Sequence, residues 1–367
     1  MIIKIELTKY RIFRLICIQK ASNSAYIETN HLFLRFVDAD NFLKMTSIRF
    51  LLPLFLLTTQ MSGQHITNYN QLTGWGISRD YAEGVVCLRR FFADGNTYYF
   101  AVIPSSLQTR VIRADSVFVV PESWEMLRFL FSATPYIHAL NQAEELGKPI
   151  QDAVYTRFST PRSGIDLTID LCPSKRPLDR IVFTDLIREI GKVEKPVPVA
   201  ICITGNWIRT HQSDLNWLDS LTRANDLSIV WINHSYNHYV IKKAPLHENF
   251  MLASGTDIDG EVMNNETEML QRNIIPSVFF RFPGLVSDNH VYERILELGL
   301  IPVGTDAWLA KGQKPGNGSI VLIHANGNEP VGVKDFIALL KRKHIDLISG
   351  RWELFDLRES LIGEISH

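Results

Sequence analysis

From residue 164 to the end of the chain, short apolar runs alternate with helix-length amphipathic stretches, and few architectures accept that pattern. Strand-like runs fall at 167–171, 199–204, 227–232, 277–281, 301–305 and 319–324, with a further short one at 345–348. Helical patterns separate them at 178–193, 206–224, 261–272, 290–298 and 333–343. Alternation of this kind implies an α/β fold, a parallel sheet with right-handed crossovers. In a parallel barrel the C-terminal ends of the strands open on one face, where catalytic groups gather.

Several of those ends carry chemistry. Residues 231–238 read Trp-Ile-Asn-His-Ser-Tyr-Asn-His, so His234 and His238 stand four apart just after an apolar strand. Residues i and i+4 share a face of one helical turn, which would aim both imidazoles the same way. Two neutral imidazoles are half of a zinc or other divalent site, which needs at least one more protein ligand. Other strand ends supply Asp170, then Arg281 followed by Phe282, Pro283 and Gly284, then Asp306 and Trp308, and finally Leu322 and His324. Taken singly, each has an ordinary reading: a turn-capping aspartate, a surface arginine, apolar core. Together they place carboxylates, a guanidinium and imidazoles at strand ends that would share one face.

In this order the five stretches resemble the motifs of the NodB-homology polysaccharide deacetylases, carbohydrate esterase family 4, over roughly residue 164 to the C-terminus. The resemblance implies a distorted (β/α) barrel with fewer than eight full units, and metal-assisted removal of an N- or O-acyl group from a carbohydrate. It makes Asp170 the general base and Arg281 its cation, a guanidinium able to hold a carboxylate in a planar, bidentate grip. His324 becomes the general acid with Asp306 as its partner, a carboxylate on one ring nitrogen fixing the tautomer. His234 and His238 become ligands to a divalent metal, expected to be zinc. The Gly284 backbone N–H is a candidate oxyanion donor, while Trp308 and Leu322 would wall an apolar slot for the acyl methyl group. Two rival readings share these residues: an amidohydrolase of a small non-sugar amide or imide, and a degenerate carbohydrate-binding protein without activity. A binder has no need of both Asp170 and His324.

One departure matters. The family's first motif carries two adjacent aspartates, the second a metal ligand, but here Asp170 is followed by Leu171, which cannot coordinate. The histidines would have to recruit Asp170, Cys172 or water. Asp166 is separated from Asp170 by four strand residues, roughly 13 Å. Cys172 is chemically suited as a thiolate ligand, although a small buried cysteine is the simpler reading.

The remainder of the chain sets the context. Its 367 residues leave room for one barrel-sized domain and a smaller one. A formal charge of −1 gives no electrostatic case for nucleic acid as a partner. Residues 1–44 contain no Gly or Pro and no clear period, a doubtful extension ahead of Met45. From Met45, a short basic segment, an apolar run at 50–57 and a small, polar stretch to residue 63 have the layout of a signal peptide, 45–63. The apolar run is too short to span a bilayer, so the expectation is an exported protein, periplasmic or secreted, with no stable membrane span. Cys17 lies in the doubtful extension, and the remaining Cys87, Cys172 and Cys202 form no disulfide framework. Residues 64–160 read as a small α+β accessory region and 161–367 as the deacetylase-like domain. In the accessory region, strands at 85–92 and 97–103 flank Asp94 and Gly95, a strong hairpin signal. A further strand is expected over 111–120, then a helix over 122–131 with Pro121 at its first position, ended by Pro135.

Overall fold

A computed structural model describes residues 65–78, 84–146, 152 and 155–365; the expected extension 1–44 and the expected signal peptide 45–63 lie outside them. The described residues fall within one compact unit, Thr59–His367.

The first layer is an antiparallel sheet of β1 (Thr67–Ser78), β2 (Gly84–Ala93), β3 (Asn96–Ile103), β4 (Gln108–Arg113) and β5 (Val117–Pro121), in the order β4-β3-β2-β1-β5. Asp94 and Gly95, both at positive φ, make the tight turn between β2 and β3. The run 111–120 is not one strand: a turn at 114–116, closed by Ser116 N–H to Arg113 O, splits it into β4 and β5. Pro121 ends β5 rather than opening a helix, and Ser123 caps α1 (Trp124–Leu130) through its side chain. Pro135 begins α2 (Pro135–Leu146) instead of ending a helix. Polar β1, rich in Asn, Thr and Gly, carries little apolar pattern and was not legible in advance.

The second layer is the expected parallel sheet. Its strands are β6 (Gly164–Leu171), β7 (Val197–Ile203), β8 (Leu227–Asn233), β9 (Phe279–Phe280), β10 (Ile301–Pro302), β11 (Ala307–Trp308), β12 (Ser319–His324) and β13 (Glu353–Leu354). The order is β10-β9-β8-β7-β6-β12-β11, with β13 paired to β6, and every pair is parallel. Helices α3 (Ile181–Ile190), α4 (Gly205–Thr210), α5 (Gln212–Arg223), α6 (Ile258–Leu270), α7 (Asn289–Glu297), α8 (Pro330–Ile348) and α9 (Leu357–Ile365) connect or follow them. Residues 155–158 stand between the β10 and β12 sides: Gly304 donates to Tyr155 O, while Ile320 donates to Thr156 O and Phe158 to Gly318 O. The result is a distorted β/α barrel with an antiparallel sheet added before it. The region 345–348 is the last turn of α8, not a strand; Leu347 continues the buried stripe of Phe336 and Leu340, whereas Ile345 and Ile348 are exposed.

Strand period sets the site. In β6, Ile165, Leu167, Ile169 and Leu171 enter the core under the helices with Val199, Ile201, Val321 and Ile323. Asp166, Thr168 and Asp170 therefore point to the opposite side, the barrel interior. Ala200, Cys202, Val230 and Ile232 face that interior from β7 and β8 and belong to a core that also takes in residues of the antiparallel sheet. There Arg89, fully buried, binds Glu266 of α6 through two nitrogens at 2.8 and 3.0 Å and Leu298 O at 2.8 Å, while Tyr69 O–H reaches the same carboxylate at 2.9 Å.

Candidate active site

Parallel register brings the strand ends together. His324 on β12 is paired with Asp170 on β6, which is paired in turn with Cys202 on β7. Neighbouring strands lie about 4.8 Å apart, so base and acid candidates end up side by side. They share a cavity of about 310 Å³ with Cys172, His234, His238, Gly284, Trp308 and Leu322.

Asp170 is buried, with Oδ1 3.3 Å from Arg281 Nη1 and Oδ2 3.6 Å from His234 Nε2. Burial alone would raise its pKa, but Arg281, then His234 and His324, outweigh it and hold the carboxyl below its ordinary value. These neighbours favour its ionised form despite burial. Arg281 does not grip it in the expected bidentate way. Its second arm, Nη2, donates to Thr168 Oγ1 at 3.1 Å and Gly304 O at 2.8 Å, and Nε has no partner. The reason is the strand period, which puts Thr168 beside Asp170 on one face and divides the guanidinium between them.

The two histidines converge, though not through a helical turn. Ser235 and His238 both have positive φ, so the segment after β8 bends away from a right-handed helical turn. Glu261 of α6 holds that turn, accepting from Tyr236 N, Asn237 N and Asn237 Nδ2 at 3.0, 2.8 and 2.6 Å. Asn233 Oδ1 accepts from Ser235 N at 3.0 Å and from Asn265 Nδ2 at 2.7 Å. A side chain at Gly205 would meet the Tyr236 ring at 2.1 Å, so the close approach of α4 to this turn requires glycine. Strain held by surrounding bonds is common where side chains must be aimed.

His234 Nδ1 bonds to Arg281 O at 2.8 Å. A carbonyl only accepts, so Nδ1 carries the proton and Nε2 keeps a free lone pair. Burial pushes His234 below its ordinary value, which favours that neutral form. Its Nε2 lies 3.6 Å from Cys172 Sγ, and His238 Nε2 lies 3.4 Å from the same sulfur. The three atoms are within 4.8 Å of one another. A tetrahedral zinc, with bonds of about 2.3 Å to sulfur and about 2.0–2.1 Å to nitrogen, sets those two atoms roughly 3.6 Å apart. The donor set fits a metal with an open fourth position, and the Nδ1 bond of His234 is the outer contact that orients such a ligand. The Cys172 thiol is lowered to about 7, because His238 and His324 outweigh the rise that burial causes. Cys172 is buried, as a small core cysteine would be, but it lines the cavity with Asp170, and Leu171 lies between them in the core under the helices.

His324 is also buried, and Cys172, Glu329 and Asp170 outweigh the effect of burial, holding its ring well above the ordinary value. Its acidic neighbour is not Asp306. Register pairs Ala307 with Val321, so Asp306 sits beside Ile320, four residues or roughly 13 Å back along the strand from His324. Asp306 instead binds Arg157 Nε at 2.6 Å and accepts from Ser319 Oγ at 3.2 Å. Glu329, just before α8, takes its place with Oε2 2.8 Å from His324 Nδ1. Sequence reasoning missed Glu329; the available signal was an acidic residue in the loop that follows the β12 histidine.

Trp308 and Leu322, paired in register, and Gly284 line the cavity. Gly284 has φ +64, and a side chain there would meet the Phe250 ring at 2.3 Å, so the wall behind the site is glycine by necessity. A second cavity of about 630 Å³ adjoins, sharing His238 and Phe250 and lined by Asn206, Asn237, Asn264 and Thr256. No helix among the described residues is long and apolar enough to cross a membrane.

No family model matches the chain. The structure is similar to a family 4 carbohydrate esterase from Bacillus anthracis, with 19% identity and a TM-score of 0.39 over 57% of this chain and 87% of that one. It is also similar to the peptidoglycan deacetylase PdaC from Bacillus subtilis, with 11% identity and a TM-score of 0.38 over 56% and 92% of the two chains. A third similar structure is BA3943 from Bacillus anthracis, described as a CE4 family pseudoenzyme, with 16% identity and a TM-score of 0.39 over 61% and 80%.

Proposed function

We propose that this chain is an exported, metal-assisted hydrolase that removes an N- or O-acyl group from a carbohydrate. The observation that carries the reading is the convergence, in one cavity, of Cys172, His234 and His238, whose ligand atoms lie within 4.8 Å of one another, with Asp170 and His324. A bound divalent metal, zinc by the donor set, would polarise the acyl oxygen and acidify a water molecule. With Cys172 as third ligand, Asp170 need not coordinate, and it takes the proton from water. Arg281 keeps it ionised and fixed. The developing oxyanion is met by the Gly284 backbone N–H, and Trp308 and Leu322 exclude water around the acyl methyl. His324 delivers a proton to the leaving nitrogen or oxygen as its bond to carbon breaks.

The adjoining polar cavity favours a sugar larger than the acyl-bearing unit over a small imide. The reading retains an accessory region over 64–160 ahead of the hydrolase domain 161–367, and export directed by 45–63. Acetate release from a panel of acetylated glycans, with and without chelator, tests it. Release that chelator abolishes and zinc restores is expected; no release from any glycan would overturn the assignment.

A further inference from the structure

We infer that Glu329, rather than Asp306, orients the proton-donating His324, an inference that rests on the proposed hydrolase reading. One carboxylate oxygen of Glu329, Oε2, lies 2.7 Å from Trp308 Nε1 and 2.8 Å from His324 Nδ1. Trp308 is itself fixed by its pairing with Leu322 and by the Lys311 ammonium 3.6 Å from its ring centre. The carboxylate is thus aimed by a rigid donor before it meets the imidazole. Glu329 immediately precedes the 19-residue α8, with Pro330 opening the helix. The N-terminus of a helix carries a partial positive charge that favours a carboxylate there.

Nδ1 of His324 is within ion-pair distance of Glu329, and the ring lines the cavity together with Cys172. With Nδ1 held by Glu329, Nε2 is the nitrogen left to pass a proton to the leaving atom as the acyl carbon bond breaks, while Glu329 stays ionised. Glu329 is a positioning residue, since it acts through His324. The same oxygen ties His324 to Trp308, so the acid and the wall of the acyl slot are set by one group. Asp306 has no such reach, because Arg157 and Ser319 occupy it.

The leaving group separates positioning from mere structure. A good leaving group such as p-nitrophenolate needs no proton, whereas an amide nitrogen does. Glu329→Gln should lower kcat for an N-acetyl glycan by about 10²-fold with little change in KM, the lower end of acid–base effects. Its loss on p-nitrophenyl acetate should be at least ten times smaller, and Glu329→Asp should recover part of the amide activity. Asp306→Asn should show no such selectivity. Equal losses on both substrates, or a selective loss in Asp306→Asn, would overturn the inference. A second readout does not depend on turnover: the ¹⁵N-bound Nδ1 proton of His324 in NMR spectra should shift in Glu329→Gln and stay in place in Asp306→Asn, and the reverse would refute it. If the wild type cleaves neither substrate while the NMR shift appears, the hydrolase reading fails and the pairing stands.

Discussion

Two buried arginine–carboxylate pairs among the described residues are built differently. Arg89 and Glu266 are saturated: two short bonds between them, two carbonyls for the arginine and a tyrosine hydroxyl for the carboxylate. Arg281 and Asp170 share a single long contact of 3.3 Å, Arg281 Nε has no partner, and the carboxylate faces a cavity. Desolvation makes a buried charge costly unless its bonds are complete. The saturated pair holds the antiparallel sheet against α6. The unsaturated pair keeps a base ionised with room left for water and substrate.

The largest expected effect breaks the second pair. Asp170→Asn should lower turnover by about 10²–10⁴-fold in protein that still folds, as followed by acetate release alongside circular dichroism. Full activity would remove Asp170 from the mechanism. Next, Arg89→Leu strands Glu266 in the core and should cost about 3–5 kcal/mol of stability, read by denaturant unfolding, while folded protein keeps its activity. A change under about 1 kcal/mol, the scale of an exposed pair, would show that the two arginines are not the contrast described.

A smaller effect comes from a third buried carboxylate, Asp166, on the same face of β6 as Asp170 but lacking a cation. Burial pushes it to about 8, and its one bond is from Ser360 O–H of α9. An unfolded aspartate loses its proton near pH 3.9, so the folded chain binds the extra proton between about pH 4 and its value of about 8. Stability therefore falls as pH rises through that window and levels off above it, with a limiting slope of about 1.4 kcal/mol per pH unit. Asp166→Asn should flatten the slope in unfolding measured at several pH values. An unchanged slope would mean that Asp166 is ionised in the folded state.

Much of this was legible in the residues alone. Strand–helix alternation announced the parallel sheet, because apolar runs such as β7 and β12 are covered on both faces. The candidate residues were legible wherever a strand end carried them. What failed depended on phase or on packing across loops. Cys172 shares the inward face with Asp170 because side chains alternate, and a motif-level comparison with paired aspartates drew the eye to Leu171 instead. Glu329 belongs to a loop, and no local pattern tells which imidazole a loop carboxylate will meet. The strand placed at 345–348 was apolar enough, yet the 3.6-residue stripe of α8 claimed Leu347 first.

Zinc binding by the purified apo chain and its variants bears most directly on the unsaturated site. Wild type should take up one zinc per chain. Cys172→Ser should weaken binding by more than the roughly 10–100-fold that loss of an outer contact costs. Leu171→Asp should add no affinity, because residue 171 faces the helices, and it should destabilise the fold by burying a charge there. Equal, tight binding by wild type and Cys172→Ser, or tighter binding by Leu171→Asp, would contradict the thiolate-and-two-histidine site.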